Sequence, residues 1–139
     1  MKLTPEESLR VACVDYCKLF GDVICVGSLN DVSWGQADPT KLWTKKAYKD
    51  KLTKLGALWG DPDLDVLANR TRFKAELKIR PNKPQEHQKA CMNRWIKAGV
   101  PCYAVYDFEA FKALVDAARA GRLPVAELFD VDLGDNLPW

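Results

Sequence analysis

The chain has 139 residues, 47% of them hydrophobic and 29% charged, and its formal net charge is only +2. This size and composition predict one soluble globular domain with a single core and room for one active site. No segment near the start has the apolar core of a signal peptide, and no apolar run approaches the roughly 20 residues that cross a bilayer. We therefore expect a cytoplasmic protein that makes no contact with a membrane.

Charge is unevenly distributed along this nearly neutral chain. Residues 41–54 contain six lysines and one acid, and the lysines are Lys41, Lys45, Lys46, Lys49, Lys51 and Lys54. A local positive field of this kind attracts phosphates, although a solvated lysine face explains the pattern equally well. Acidic residues dominate after Arg122, so we expect a single domain over residues 1–122 and an acidic C-terminal tail over residues 123–139.

Five cysteines are scattered through apolar stretches, at positions 13, 17, 25, 91 and 102. An odd number in such surroundings predicts buried free thiols in a reducing compartment. No second CxxC or HxxxH pair completes a zinc set, so a structural zinc site is not expected.

The first half of the chain predicts a helix, a strand and a second helix. Thr4-Pro5-Glu6-Glu7 is a strong helix start, because Thr4 can cap it, Pro5 suits its first position and Glu7 can complete a capping box. Apolar residues then recur at spacings of three and four as far as Phe20. Residues 22–26 are predicted to form a buried strand, residues 27–40 a loop and residues 41–55 a basic helix.

The second half predicts a hairpin followed by helix, strand and helix. Residues 64–67 and 72–79 are the two strands, joined by a polar turn. Residues 85–98 are predicted to be helical with Gly99 as the C-cap, residues 101–106 to form a strand and residues 108–120 a helix. The order α-β-α-β-β-α-β-α indicates an α/β fold with a mixed sheet covered by helices.

Three residues of the hairpin region suggest chemistry. Asp63 precedes the first strand, Glu76 lies on its partner, and Lys78 projects from the same face as Glu76. Two carboxylates can hold Mg²⁺, which lowers the pKa of a bound water and offsets charge on a phosphate, while the lysine orients that water. On alternation alone, however, an exposed strand face is the better explanation of Glu76 and Lys78.

The motif Gly60-Asp61-Pro62-Asp63-Leu64 followed by Glu76-Leu77-Lys78 resembles the G-x-P-D-L … E-L-K signature of the PD-(D/E)xK nucleases. Gln88, the sequence Gly99-Val100-Pro101 before an apolar strand and helix, and Glu6-x-x-Leu9-Arg10 are similar to its virus-type replication-repair nuclease (VRR-NUC) branch. The resemblance spans roughly residues 4 to 120. Each motif is weak alone, but this order and spacing are a strong signal. The resemblance implies a restriction-endonuclease-like core.

The resemblance also implies roles for individual residues. Asp63 and Glu76 would bind the metal together with the backbone carbonyl of Leu77, and Lys78 would be the catalytic lysine. Gln88 would support the site or contact the phosphate. Glu6 would complete the metal shell, directly or through water. Helix geometry selects Glu6 over Glu7 for this place, because Glu6 lies near the buried stripe and Glu7 points away. An ordinary first-turn acid explains Glu6 equally well.

The expected function is a Mg²⁺- or Mn²⁺-dependent deoxyribonuclease with no organic cofactor. We expect sequence-independent binding of DNA through a basic segment, with Trp59 stacking on unpaired bases; its lysines are Lys41, Lys45, Lys46 and Lys49. Stand-alone relatives imply a homodimer that acts in DNA repair on branched DNA such as a Holliday junction. The alternatives are a catalytically silent DNA-binding or assembly module on the same fold, and a metal-independent protein-interaction domain.

Overall fold

The computed structural model describes residues 2–28, 50, 51 and 53–132. The elements, in chain order, are α1 (Pro5–Lys18), β1 (Val23–Gly27), β2 (Leu64–Ala68), β3 (Thr71–Leu77), α2 (Glu86–Ala98), β4 (Cys102–Val105) and α3 (Phe108–Arg119). Residues 50, 51, 53 and 54 are also helical, at the end of the predicted basic helix 41–55. Leu55, its predicted last residue, lies in a turn, and residues 41–49 and 52 lie outside the described residues.

The four strands form one mixed sheet in the order β1-β2-β3-β4. β2 pairs antiparallel with both β1 and β3, whereas β3 pairs parallel with β4. The predicted hairpin is therefore confirmed, and Asn69 and Arg70 form its tight turn with φ angles of 48° and 71°, as a type I′ turn requires. β3 ends two residues earlier than predicted, at Leu77, although the N–H of Lys78 still donates to the carbonyl of Val105 at 2.9 Å.

Helix α1 begins with the predicted capping box. The hydroxyl of Thr4 accepts from the N–H of Glu7, and the Glu7 carboxylate accepts from the N–H of Thr4, both at 3.1 Å. Glu7 is exposed and Glu6 is half-buried. The two neighbouring acids thus differ in role, because only Glu7 is used to begin the helix.

The hydrophobic core lies between one face of the sheet and helices α1 and α3. Alternate sheet residues point into it, and Phe73 meets Phe111 of α3 with ring centroids 6.1 Å apart. Both rings are fully buried, and each such side chain contributes roughly 2–3 kcal/mol to folding. Because strand residues alternate, Lys74 and Glu76 belong to the opposite face. Helix α2 covers part of that second face, where Trp95 packs over Lys74.

All five cysteines are free thiols, as predicted. Four are buried and Cys25 is half-buried. Burial raises the pKa of Cys13, Cys91 and Cys102 to about 12. At neutral pH these thiols are therefore protonated core residues.

Residues 122–132 contain no helix or strand but are bound to the domain. The hydroxyl of Tyr103 donates to the carbonyl of Pro124, and the side chain of Asn93 exchanges two hydrogen bonds with the backbone of Phe129, at 2.8 and 2.9 Å. The N–H of Asp132 then donates to Glu86 at 2.7 Å. The first part of the predicted tail thus runs to the start of α2, and residues 133–139 lie outside the described residues. Among the described helices, none is long and apolar enough to span a membrane.

Candidate active site

Strand register brings the two predicted metal-binding carboxylates together. Leu64 of β2 pairs with Ala75 of β3, so the next step of the same antiparallel ladder sets Asp63 opposite Glu76. Directly opposite residues project from the same face of a sheet. Both side chains are buried, with residue exposures of 6% for Asp63 and 2% for Glu76. The exposed strand face considered from alternation alone is therefore wrong for Glu76.

Asp63 is fixed by the backbone around it. Its Oδ2 accepts a hydrogen bond from the N–H of Leu77 at 2.8 Å. Its carbonyl accepts from the N–H of Ser28, also at 2.8 Å. The N–H and carbonyl of one strand residue face the same neighbouring strand. The Leu77 carbonyl thus points toward the strand that carries Asp63, which favours its predicted place beside the two carboxylates.

Lys78 is the lysine that faces the carboxylates. Its Nζ lies 3.6 Å from Oε1 of Glu76, and its side chain is 12% exposed. Lys74 projects from the same sheet face but has a different partner, since its Nζ donates to Asp61 at 2.8 Å. It also lies 3.8 Å from the centroid of the Trp95 ring. The structure therefore separates one lysine at the candidate site from one in a neighbouring ion pair.

Arg10 of α1 also contacts Asp63, which the sequence analysis did not predict. Its Nη1 lies 3.9 Å from Oδ1 of Asp63, and its Nη2 donates to the carbonyl of Asp63 at 3.5 Å. A Cβ on Gly27 would lie 2.6 Å from that Nη2, so the glycine lets the guanidinium pass. The one available signal was position, because Arg10 follows Glu6 by four residues and shares its helix face.

The donor set fits a hard divalent cation. Two buried carboxylates and one backbone carbonyl supply oxygen ligands, which Mg²⁺ and Mn²⁺ prefer, and Mg²⁺ keeps several waters beside one or two carboxylates. Among the described residues, no group of three or more His, Cys, Asp or Glu side chains could hold a metal ion. Glu6 is thus not gathered into one cluster with Asp63 and Glu76.

The loop before Asp63 packs against the start of α2. Trp59 stacks on His87 with ring centroids 5.0 Å apart and an interplanar angle of 14°. Gly60 has φ +81°, and a Cβ there would lie 2.8 Å from the carbonyl oxygen of His87. In this contact His87 is half-buried. This contact fixes the approach of the chain to Asp63.

Two sets of predicted site residues remain, Gln88 and the DNA-binding lysines. Gln88 lies in the first turn of α2, where its Oε1 accepts from the N–H of Gln85 at 2.8 Å. Farther along the same helix, Trp95 is half-buried, and its Nε1 donates to Asp61 at 2.8 Å. The predicted DNA-binding residues Lys41, Lys45, Lys46 and Lys49 lie outside the described residues.

No protein-family model matches the chain. No curated protein matches it either. Its fold is similar to that of a solved structure described as "VRR_NUC domain", with a TM-score of 0.53 and 19% sequence identity. The match covers 82% of this chain and 97% of that one. The restriction-endonuclease-like α/β fold predicted from the motifs is thereby confirmed.

Proposed function

We propose that the chain is a divalent-metal-dependent nuclease that hydrolyses phosphodiester bonds in DNA. One observation carries the proposal: Asp63 lies opposite Glu76 on one sheet face, and the Nζ of Lys78 is 3.6 Å from the Glu76 carboxylate. Two carboxylates and an ammonium group on a common buried surface suit phosphoryl chemistry, in which an anionic centre must be both neutralised and attacked.

Asp63, Glu76 and the carbonyl of Leu77 would hold Mg²⁺ or Mn²⁺. Such an ion supplies two things when bound, an activated water of lowered pKa and a positive charge for the phosphate oxygens. The fit rests on the donor chemistry, since all three groups offer oxygen and two of them are buried carboxylates.

The protein's own residues prepare the site for the reaction. The Leu77 N–H holds the Asp63 carboxylate in one orientation, so little reorganisation is needed when charge develops. Lys78 would stabilise the extra negative charge on the phosphate and orient the attacking water. Arg10 would supply a second fixed positive charge, because its guanidinium stays protonated at every working pH.

DNA would bind largely through its backbone. The residues we assign to this contact are Trp59 and the lysines at positions 41, 45, 46 and 49, and the lysines are assigned on the local positive charge of their segment. Gln88 would support the catalytic site or contact the phosphate, as the resemblance implies. Lysine–phosphate contacts release counterions, so four such contacts predict a roughly hundredfold loss of affinity between 50 and 200 mM salt. A homodimer would present two sites to a four-way junction and suits a role in DNA repair.

The test is cleavage of labelled single-stranded, duplex, flap and four-way junction DNA with Mg²⁺, Mn²⁺ or EDTA. Wild type is compared with Glu76→Gln, which removes the charge but keeps the shape. Glu109→Gln, at an exposed acid in the first turn of α3, is the control. We expect metal-dependent cutting by wild type and the control, and at least a hundredfold loss in Glu76→Gln.

Two other results would speak against the proposal. Salt-sensitive DNA binding without cutting in either metal would favour the silent DNA-binding module, and absence of DNA binding would favour a protein-interaction domain. Sedimentation of the free protein and of its junction complex measures whether the active species is a homodimer.

A further inference from the structure

A cavity of about 460 Å³ opens on the second face of the sheet, next to the candidate site. Its apolar lining includes Val26 of β1, Leu58 and Pro62. Its polar lining includes Asp61 and Lys74, and Trp95 of α2 forms part of its wall. This volume lies within the range of small-molecule sites, about 300–1,000 Å³, and the mixture of apolar walls and a few polar groups is typical of them.

Two independent observations place the cavity directly beside the carboxylates of Asp63 and Glu76. Pro62 lines it and immediately precedes Asp63. Lys74 lines it and shares a sheet face with Glu76, two residues along β3, which is a separation of about 7 Å. A ligand in the cavity is therefore within one nucleotide of a phosphate bound at Asp63 and Glu76.

The charges around the cavity are already balanced. Lys74 pairs with Asp61 at 2.8 Å. Asp65, which also lines the cavity, pairs with Arg72 at 2.7 Å. Among the described lining residues and their partners, both cations are neutralised by neighbouring carboxylates, so these residues offer no excess positive charge to a phosphate. A neutral ligand with a polar edge suits the cavity better.

Asp61 gives the cavity its hydrogen-bonding character. Its Oδ1 accepts from both Lys74 and Trp95, each at 2.8 Å, and these two bonds fix the carboxylate. Within the part of the chain that the structure describes, its Oδ2 accepts no hydrogen bond, and its side chain is 22% exposed. A fixed carboxylate with a spare acceptor selects ligands that present an amino group, as acidic side chains do with that of cytosine. The ring N–H of thymine suits it less well, because the two carbonyl oxygens beside that N–H repel a carboxylate.

We propose that this cavity binds one unpaired nucleobase of the DNA substrate beside the cleaved phosphate. It favours bases with an exocyclic amino group, namely cytosine, adenine and guanine, over thymine. The inference rests on the proposed nuclease function and makes it more specific, because the enzyme would then need an unpaired or unstacked nucleotide at the cut. Branched and single-stranded DNA supply such nucleotides at little cost in unstacking.

The test combines cleavage and binding. A single abasic nucleotide is moved stepwise along a substrate through the mapped cut, and kcat/KM is measured at each position. We expect one position, next to the cut, to lose about fivefold or more, a loss at the lower end of that for removing one base contact. Thymine at that position should cut more slowly than cytosine. Binding is measured separately with Glu76→Gln and the fluorescent base 2-aminopurine at the same position.

Two matched substitutions on β1 assign the effect to the cavity. Val26→Trp places a large ring at the cavity wall, whereas Ile24→Trp adds the same ring two residues away on the same exposed face, outside the lining. Val26→Trp should abolish the position-specific abasic effect and the 2-aminopurine signal. Ile24→Trp should leave both unchanged, and circular dichroism checks that each variant folds.

The outcomes separate this inference from the proposed function. Normal cutting with equal abasic effects at all positions, or an unchanged position effect in Val26→Trp, would overturn the base-binding cavity while leaving the nuclease intact. If wild type cuts nothing, the nuclease proposal fails, and the 2-aminopurine signal still decides whether the cavity takes a base.

Discussion

The carboxylate of Asp63 accepts a hydrogen bond from the backbone N–H of Leu77, 2.8 Å away across the hairpin. The side chain of Asp63, just before β2, is thus fixed by the backbone of β3. The N–H that holds it belongs to Leu77, the residue between Glu76 and Lys78. The three members of the D … E-L-K motif are held as one unit because the spacer Leu77 contributes its N–H to the first acid. The leucine side chain, 1% exposed, points the other way into the core.

Binding of Mg²⁺ or Mn²⁺ should raise the thermal stability of the wild type. Two adjacent buried carboxylates disfavour each other's charge, and an ion that binds only the folded state stabilises it by about 2.7 kcal/mol at a hundred times its Kd. Differential scanning fluorimetry with increasing metal measures the shift. Asp63→Asn should lose it and Glu109→Gln should keep it, whereas an equal shift in both variants would place the ion elsewhere.

Lys78 and Lys74 should respond differently to substitution by methionine. Lys78→Met should reduce kcat of the folded enzyme about a hundredfold or more, because its ammonium faces Glu76 in the candidate site. Lys74→Met should mainly lower stability, by about 3 kcal/mol, because it leaves Asp61 without its buried ion-pair partner. Urea unfolding and single-turnover cleavage measure the two effects. A reversed pattern would show that the catalytic lysine is misassigned.

The sequence predicts which strand residues share a face of the sheet better than it predicts the side-chain contacts between different elements. Alternation along residues 72–79 correctly places Lys74, Glu76 and Lys78 on one face, because side chains in a strand alternate regardless of context. It does not distinguish the lysines, since the partners of Lys74 come from a loop and from α2. Arg10 was missed for the same reason, because the residue of α1 that meets Asp63 depends on how the helix packs on the sheet.

Arg10→Gln should strengthen metal binding and weaken catalysis. The guanidinium lies 3.9 Å from Oδ1 of Asp63 and repels a metal ion bound there. Removing its charge therefore makes the Asp63 carboxylate a better ligand for the metal. The same removal takes away a charge that would stabilise the phosphate. We expect the metal concentration for half-maximal activity to fall severalfold and the maximal rate to fall at least tenfold. Arg122→Gln, at an exposed site, is the control. A raised metal requirement would contradict this role.

Gly60→Ala should destabilise the protein more than Gly121→Ala. Both glycines have positive φ, +81° and +69°, so both substitutions cost about 1 kcal/mol in backbone strain. At Gly60 the new Cβ also meets the His87 carbonyl at 2.8 Å, whereas at Gly121 nothing lies within 4 Å. Chemical denaturation measures the difference, which we expect to exceed 1 kcal/mol. Equal losses of unfolding free energy in the two variants would show that the loop around Gly60 shifts at little cost to accommodate the new Cβ.

Acid should release residues 129–132 from the domain. The hydrogen bond from the N–H of Asp132, followed by that from Lys89, holds the pKa of Glu86 below its usual range. A carboxyl group with a lowered folded-state pKa stabilises the folded contact above its unfolded pKa, and the effect is lost as pH falls through the folded pKa. The chemical shift of the Asp132 amide, followed by NMR from pH 7 downward, should therefore change at pH values below the ordinary pKa of glutamate, and before the protein unfolds globally. Glu86→Gln should remove that pH dependence, while Asn93→Ala should free Phe129 at every pH. An Asp132 amide that titrates identically in Glu86→Gln would show that another group controls the contact.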